Sequence, residues 1–409
     1  MRGARLTLAC LGALACVAGG SGCEDGRVIV EYEPYQGGPV YPSRRPPLPT
    51  VTGEVGYVSD NGSDTISILD LTQGKTAARI HVGRDPLTID GPHHLAVGPD
   101  GTVFVALSYP APPVSPGPHS AHSSSRRNGY VQKLAARDFE PLGEARLDPN
   151  PGEIVLSEDG RRLVASHFDL QRAIDVKLDE KARRATLAIL SPSMFKAGSV
   201  AEPELVSVCA APHGASLSRP DGALAYVACY GEDSVAIVDL ANRAAPITYV
   251  PLGAAPTPGA PTIGPYSAVL SPSGKRVAVG NTESKDTRLL DTATRTILPL
   301  RISNRGAPYF AAWTADDAAL YIPTQGPDAL VVADAATGAV RNQRVFTRAE
   351  CERPHEAAFG ADPRRVYLVC EGDHLAPSVV LALDATTLET RATMPVGVYP
   401  DRLVIRRAP

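Results

Sequence analysis

A short unit recurs along this chain, and its length and composition leave few folds open. Each copy opens with a Pro and an apolar strand, turns at a cluster of Asp, Gly and Ser, and continues into short strands rich in Val, Ile and Tyr. The prolines that open six copies lie 43 to 61 residues apart, at Pro92, Pro151, Pro212, Pro265, Pro308 and Pro354. A β-unit of this size cannot bury its apolar faces alone, so the repeat predicts blades arranged around one axis.

The two ends of the chain hold complementary parts of one more blade. The first unit starts at a second strand, residues 55–58, and the chain ends in an inner strand, residues 399–405, with no second strand after it. Joining these ends removes the open sheet edges that would otherwise template aggregation. We therefore predict an all-β chain that forms a seven-bladed β-propeller of four-stranded blades, closed by its N- and C-terminal strands in one blade.

Residues 1–22 have the pattern of an export signal. Arg2 and Arg5 precede an apolar run that is too short to span a bilayer as a permanent helix, and small residues then lead to Cys23. This ending resembles the lipobox of bacterial lipoproteins, in which the cysteine is lipidated; an ordinary cleaved signal with an incidental cysteine is the alternative. Residues 23–52 are predicted to form a Pro-rich tether, and residues 53–409 the propeller. We expect a lipid-anchored protein of the cell envelope, in the periplasm or at the cell surface.

The repeat resembles the YVTN β-propeller repeat of bacterial surface and periplasmic proteins. The matching segments are YVSDNGSDTISILDLTQGK at residues 57–75 and AYVACYGEDSVAIVDL at residues 225–240, together with the Pro-led inner strands and their Asp-Gly turns. The resemblance covers about residues 53–407 and implies the fold, whereas such repeats serve ligand binding, surface attachment and catalysis alike. Two insertions depart from the pattern. Residues 108–129 in blade 2 are rich in Pro, Ser and His, and residues 169–185 in blade 3 predict a short charged helix or ribbon.

The inner strands of a propeller surround a central channel, so the residues after each Pro should meet at one channel mouth. Polar and aromatic residues occupy these positions and the next ones, and the predicted ligand-binding residues are His93, His213, Tyr266, Tyr309, His355, Glu356, Asp401 and Arg402. A divalent metal is the candidate cofactor, with His93, His213 and His355 as its candidate ligands, and His167 could join them. The alternative is that each histidine caps its own strand.

Four cysteines of the predicted propeller form two pairs of similar spacing. Cys209 and Cys229 are 20 residues apart, Cys351 and Cys370 are 19 apart, and each pair flanks an inner strand. The end of a blade's second strand lies beside the start of its first, which predicts two disulfides within blades in an oxidising compartment. Free thiols or Cys–His metal sites are the competing interpretations.

Charge and motifs narrow the classes of function. The net charge of −4 offers no basic surface to nucleic acid, and the chain contains no Gly-x-Ser-x-Gly, P-loop, Cys-x-x-Cys-His or His-Glu-x-x-His motif. We predict a monomeric envelope lipoprotein that binds a protein partner, a small polar ligand or a metal at the channel mouth, and we favour binding over catalysis. The alternative is a lactonase-like hydrolase that uses the His-, Glu- and Arg-lined mouth.

Overall fold

A computed structural model describes residues 47–84, 88–110, 125–257 and 260–407. Within these ranges the chain forms seven small, mainly antiparallel sheets arranged in a ring, which confirms the predicted seven-bladed β-propeller. The predicted signal peptide, Cys23 and most of the tether lie outside the described residues. Among the described residues, no helix is long and apolar enough to cross a membrane.

The first four blades each contain four main strands, which we give from the innermost outward. Blade 1 consists of Pro400–Arg407, Glu54–Asp60, Thr65–Asp70 and Lys75–His81. Blade 2 consists of Pro92–Val97, Val103–Leu107, Asn128–Leu134 and Pro141–Pro149, with Val200–Ala201 added in parallel at its edge. Blade 3 consists of Pro151–Leu156, Leu163–His167, Ala185–Leu190 and Glu204–Cys209. Blade 4 consists of Pro212–Leu217, Leu224–Cys229, Ser234–Asp239 and Thr248–Pro251.

The last three blades follow the same plan. Blade 5 consists of Pro265–Leu270, Arg276–Asn281, Asp286–Asp291 and Thr296–Ser303. In blade 6 the inner strand is divided into Ala307–Pro308 and Ala312–Trp313, and Ala319–Gln325, Ala329–Asp334 and Val340–Val345 complete the sheet. Blade 7 consists of Pro354–Phe359, Arg365–Cys370, Pro377–Asp384 and Thr390–Val398.

Blade 1 closes the ring as predicted from the two chain ends. The C-terminal strand pairs antiparallel with the first strand, and Tyr57 lies opposite Val404 in the register. Asn61 N donates a hydrogen bond to Tyr399 O at 2.9 Å and extends this pairing to the end of the strand. The inner edge of Glu54–Asp60 is therefore covered by residues almost 350 positions away in the sequence.

The core lies between neighbouring blades. Second and third strands are buried over nearly their whole length because each blade packs face to face with two others, as in Val103–Leu107 and Ala329–Asp334. One such layer joins blades 7 and 1 through Val369, Met394 and Leu403. Burying each such side chain contributes roughly 1.5–3 kcal/mol relative to exposure. Outer strands carry the exposed and polar residues of the rim.

The aspartates that end the third strands are turn residues. Asp239, Asp291, Asp334 and Asp384 each accept backbone N–H bonds from the residues two and three positions later, at 2.7–3.1 Å. A short carboxylate can satisfy the donors of a tight turn in this way. These carboxylates therefore act in local structure, at the end of the propeller opposite the starts of the inner strands.

The insertion of blade 3 forms two short helices, α1 (Leu170–Ile174) and α2 (Glu180–Arg183). Asp169 caps the first by accepting from Arg172 N, and Asp179 caps the second by accepting from Ala182 N. Most of the blade 2 insertion, residues 111–124, lies outside the described residues.

Candidate functional site

The inner strands begin with an abrupt change of backbone direction. In six blades the pairing with the second strand shifts register directly after the opening proline, at Pro92, Pro151, Pro212, Pro265, Pro354 and Pro400. In six blades the residue before that proline has a positive φ, at Gly91, Asn150, Ala211, Gly264, Arg353 and Tyr399. Both features are uncommon and re-aim side chains locally. They place the residues that follow each proline next to one another at one end of the channel.

The residues predicted at an open mouth are instead buried. The exposed fraction is 5% or less for seven of the eight predicted residues, His93, His213, Tyr266, Tyr309, His355, Glu356 and Asp401, and for their neighbours His94 and Glu153, whereas Arg402 keeps 23% of its side chain exposed. The reason is an aromatic layer that the sequence repeat does not reveal. Phe168, just after the second strand of blade 3, lies 4.6 Å from the His213 ring and 5.6 Å from the Tyr230 ring, centroid to centroid. A ligand held at this depth must be small.

Asp401 is the centre of the buried group. His93 Nδ1 contacts Asp401 Oδ2, His355 Nδ1 lies 3.0 Å from Oδ1, and His94 Nε2 lies 3.7 Å from Oδ1. His355 Nδ1 also donates to the backbone oxygen of Asp401 at 3.0 Å. We call His93, His94, His355 and Asp401 the histidine–aspartate cluster. It gathers imidazoles from blades 2 and 7 around a carboxylate of blade 1.

Charge within the cluster follows from burial and from these contacts. Burial alone would raise the pKa of Asp401, but His93 and His355 beside it hold that pKa well below its usual range. Burial alone would lower the pKa of His355, yet the carboxylates of Asp401 and Glu371 raise it. Asp401 is therefore an anion, which suits it to bind a cation.

His94 is the member of the cluster that sequence analysis did not select. Its ring is fully buried, 4.5 Å from the His93 ring and 5.2 Å from the Phe310 ring. Its Nδ1 has no hydrogen-bond partner among the described residues. Burial and the neighbouring His93 lower the pKa of His94 to about 3, so the imidazole is neutral and its nitrogen lone pair is available. The adjacent pair His93–His94 in the sequence was the signal that could have identified it.

His213 belongs to the aromatic layer rather than to the cluster. Its ring stacks on Tyr266 at 3.7 Å, and its Nδ1 donates to Tyr266 O at 3.1 Å. Its ring centre is 6.2 Å from that of His93. Tyr309 lies 5.3 Å from the ring of His355 and completes the cover on that side. Of the three predicted histidine ligands, the structure thus brings His93 and His355 together with Asp401. His213 lies outside this cluster, in the aromatic layer.

His167 also lies apart from the cluster. Its Nδ1 is 2.9 Å from Thr186 O and 2.8 Å from Thr186 Oγ1, and that hydroxyl contacts Asp148 Oδ2 at 2.6 Å. These partners belong to blade 3 and to the end of the outer strand of blade 2, so His167 takes part in a local network.

Arg402, Glu153 and Glu356 form a second polar tier one residue further along the inner strands. Arg402 Nη1 lies 3.2 Å from Glu153 Oε1 and 3.0 Å from Glu356 Oε1. The other carboxylate oxygens accept backbone bonds, from Ala215 N at 2.6 Å and from Leu403 N at 2.5 Å. Burial raises the pKa of Glu153 to about 7 in spite of Arg402, and burial raises the pKa of Glu356 as well. The exposed fraction of the side chain is 23% for Arg402, 3% for Glu153 and 7% for Glu356.

The cysteines pair as predicted, but the first pair joins two blades. Cys209 bonds to Cys229 with Cα atoms 5.8 Å apart, and Cys351 bonds to Cys370 with Cα atoms 5.2 Å apart. Cys209 ends the outer strand of blade 3 and pairs there with Ala185, so its bond to Cys229 crosses to blade 4. Cys351 lies in the connection between blades 6 and 7, outside the sheet of Cys370. The assignment of both disulfides to single blades was therefore wrong, because the cysteine before each inner strand precedes its blade.

Comparison with known proteins supports the fold. No protein-family model and no curated protein matches the chain. Among solved structures, the periplasmic gluconolactonase PpgL of Pseudomonas aeruginosa is similar, with 17% identity, a TM-score of 0.61 and coverage of 87% of this chain and 100% of that one. A candidate 6-phosphogluconolactonase of Bacteroides uniformis gives 12% identity, a TM-score of 0.60 and coverage of 86% and 99%. Apo AztD of Citrobacter koseri is also similar, with 14% identity, a TM-score of 0.54 and coverage of 87% of this chain and 98% of that one. At these identities the likeness shows that this chain shares the propeller fold of these proteins.

Proposed function

We propose that this protein binds a divalent transition-metal ion at the histidine–aspartate cluster. The observation that supports the proposal is that His93, His94 and Asp401 each offer a ligand atom, all within 4.8 Å of one another, at full burial. Imidazole and carboxylate together suit Zn²⁺, Cu²⁺, Ni²⁺ and Fe²⁺ rather than Ca²⁺ or Mg²⁺, which prefer oxygen ligands throughout.

The separations within the cluster are compatible with one small ion. Ligand atoms at about 2.0–2.2 Å from a tetrahedral ion lie roughly 3.3–3.6 Å from each other. His94 Nε2 and Asp401 Oδ1 are 3.7 Å apart, close to that value. His93 Nδ1 would exchange its bond to Asp401 for one to the ion, and His355 would hold the carboxylate from outside the ligand set. Such an outer partner orients a ligand and fixes its charge.

Burial gives an energetic reason to favour this proposal over a purely structural role. A buried polar group without a hydrogen bond costs about 1–3 kcal/mol of stability. The buried imidazole of His94 carries such a nitrogen. Capping of its strand does not explain this imidazole, because a capping imidazole would donate a hydrogen bond to a backbone oxygen. A metal ion would use the lone pair of this imidazole and compensate the cost.

The test is metal titration of the purified, metal-stripped protein. Isothermal titration with Zn²⁺, and absorption spectra with Co²⁺, should give one site per chain with nitrogen and oxygen ligands. His94→Ala should weaken binding by more than about 100-fold, since removal of even an outer partner typically costs roughly 10- to 100-fold. His81→Ala is the matched control, because His81 is exposed on the outer strand of blade 1. If His94→Ala binds Zn²⁺ as tightly as His81→Ala and the wild type do, the proposal is wrong. It is also wrong if the wild type binds no metal.

A second candidate function, lactone hydrolysis, is supported by the Arg402 tier. Glu153 has a pKa of about 7 and lies beside a partly exposed guanidinium. A carboxyl group of this pKa can act as a general acid or base near neutral pH, and Arg402 could polarise a carbonyl. The wild type should then hydrolyse δ-lactones of sugar acids, and Glu153→Gln should abolish turnover. Glu202→Gln is the control, because Glu202 is 62% exposed at a surface ion pair. Unchanged turnover in Glu153→Gln would exclude this role.

We also propose that Cys23 anchors the protein to a membrane of the cell envelope. The two disulfides are typical of an oxidising compartment, which agrees with export. Cys23→Ser should move the protein from the membrane pellet to the soluble fraction, whereas Cys16→Ser, which alters a cysteine within the apolar run, should leave it in the pellet. Membrane association of Cys23→Ser equal to that of the wild type would contradict the anchor.

A further inference from the structure

A chain of polar side chains connects the surface of blade 7 to the histidine–aspartate cluster. His374 Nε2 lies 2.9 Å from Glu371 Oε2, and Glu371 Oε1 lies 3.7 Å from His355 Nε2. His355 Nδ1 in turn lies 3.0 Å from Asp401 Oδ1. Each neighbour in this series can bind a cation through nitrogen or oxygen. Neither Glu371 nor His374 was selected from the sequence, because both lie after the second strand and not at an inner strand.

Only the first member of this series is exposed to solvent. His374 keeps 25% of its side chain exposed, whereas Glu371 and His355 are 1% exposed and Asp401 is 0%. The outermost group is thus open to solvent and the innermost is closed. A small ion could pass from one ligand to the next without meeting an apolar barrier, whose crossing would be costly for a charge.

The loop that presents His374 is well defined. Asp373 Oδ1 accepts bonds from Leu375 N and Ala376 N, each at 2.9 Å, and Arg353 Nη1 donates to Gly372 O at 3.1 Å. The His374 ring stacks on Tyr399 with centroids 3.6 Å apart and planes 12° apart. Tyr399 directly precedes the inner strand that carries Asp401, so the stacking fixes His374 next to the cluster. Leu375, the next residue in this loop, has 86% of its surface exposed.

The opposite approach, along the central channel, is less suited to a cation. The Arg402 guanidinium lies in that direction, next to Asp401 in the chain, with its positive charge partly exposed. A divalent ion that came this way would meet a like charge at close range before it reached Asp401. The carboxylates of Glu153 and Glu356 on that side are already paired with Arg402, whereas the carboxylate of Glu371 lies between the imidazoles of His355 and His374.

We propose that His374 and Glu371 form the entry port for the metal ion, from which it passes by ligand exchange to His355 and then to His93, His94 and Asp401. This inference rests on the proposed metal-binding function and adds the path by which the buried site is filled and emptied. The ligand class is a divalent transition-metal ion that His374 and Glu371 bind transiently. Because the port is not part of the final site, it should govern rates rather than affinity.

The experiment separates kinetics from equilibrium. His374→Phe keeps a ring to stack on Tyr399 and removes the ligand nitrogen. Stopped-flow loading with Zn²⁺, and removal of Zn²⁺ by a chromophoric chelator, should both slow by about tenfold while the Kd stays within about twofold, since Kd is the ratio of the two rate constants. Glu371→Gln, which keeps the shape of the side chain, should slow both rates as well. His81→Phe is the control for an exposed histidine on another blade.

The outcomes distinguish the two proposals. If the wild type binds Zn²⁺ but His374→Phe and Glu371→Gln load at the wild-type rate, the port is wrong and the site stands. If His374→Phe weakens the Kd as strongly as His94→Ala does, His374 is a ligand of the site and the port is likewise wrong. If the wild type binds no Zn²⁺, Co²⁺, Ni²⁺ or Cu²⁺, the proposed function itself fails.

Discussion

His93 Nδ1 contacts the Asp401 carboxylate, although 308 residues separate the two in the sequence. His93 is the second residue of the inner strand of blade 2, and Asp401 is the second residue of the strand that closes blade 1 from the C-terminus. The cluster is therefore complete only when the two chain ends share a sheet. Ring closure stabilises the fold and also assembles the candidate site.

Truncation after Tyr399 should test this dependence. The shortened chain would lack the inner strand of blade 1 and would leave the edge of Glu54–Asp60 and the core residues Val369 and Met394 without their neighbour. We expect a loss of most of the stability, read as a lowered Tm, together with loss of Zn²⁺ binding. A chain ending at Arg407 is the control, because it retains the whole strand. A truncated protein that melts within a few degrees of the control would contradict closure by both ends.

The sequence predicted the fold well because the repeat itself carries the information. Pro-led inner strands, turn residues and the missing strands at each end determine the number of blades without any tertiary contact. The alignment of these prolines also placed His93, His355 and Asp401 at one level of the channel. Periodicity could not predict burial, because Phe168 and Tyr230 cover the site from positions directly after second strands, where the residue type differs from blade to blade.

The disulfides show the same limit. Spacing alone identified the partners of Cys229 and Cys370, since the second strand returns to the start of the first. Spacing could not assign Cys209 to a blade, because the outer strand of one blade runs directly into the inner strand of the next. Only the pairing of Cys209 with Ala185 places it in blade 3.

The disulfide between Cys209 and Cys229 should contribute to stability by restricting the unfolded chain. The loop that it closes spans 20 residues, for which loop entropy gives roughly 3 kcal/mol. We expect the double variant Cys209→Ala/Cys229→Ala to lose about that amount in urea denaturation. The pair Cys351→Ala/Cys370→Ala, with a separation of 19, is the matched comparison and should lose a similar amount. Non-reducing peptide mapping that finds four thiols, or a link from Cys209 to Cys351, would refute the pairing.

Arg402 should hold two carboxylates in place. Arg402→Met keeps much of the side-chain volume but leaves Glu153 and Glu356 without their shared cation. Removing one partner of a buried ion pair typically costs 3–5 kcal/mol, and partial exposure of Arg402 lowers our expectation to about 2–3 kcal/mol. Arg407→Met, an exposed arginine on the same strand, is the control. Adding Glu153→Gln and Glu356→Gln to Arg402→Met should restore most of the loss in urea denaturation. If stability does not recover, the defect is one of packing and not of unpaired charge.

Asp60, which lies opposite Pro400 in the sheet of blade 1, should give stability a dependence on pH. Its carboxylate is fully buried in blade 1, where Oδ2 accepts from Thr65 Oγ1 and Ser67 Oγ at 2.7 Å each and Oδ1 accepts from Gly397 N at 3.0 Å. Burial raises its pKa to about 7 in spite of these bonds, from 3.8 in an exposed setting. Between these two pH values the folded state therefore binds a proton that the unfolded state has released. The contribution of Asp60 to the free energy of unfolding is therefore fully present below the unfolded-state pKa of 3.8. It is lost as pH rises through the folded-state pKa of about 7, by up to about 1.4 kcal/mol per pH unit.

Asp60→Asn should remove the pH-dependent contribution of this carboxyl group to stability while keeping the shape of the side chain. Relative to the wild type, the variant should gain stability steadily as pH rises from about 4 to about 7, measured by urea denaturation at each pH. Asp384→Asn is the control, because the pKa of Asp384 is shifted in the opposite direction to that of Asp60. The backbone N–H of Thr387, together with Arg391, lowers the pKa of Asp384 to about 2, so its effect should change only in acid, below the pH range in which Asp60 titrates. If Asp60→Asn and the wild type give parallel stability curves across neutral pH, Asp60 is ionised in the fold and the raised pKa is wrong.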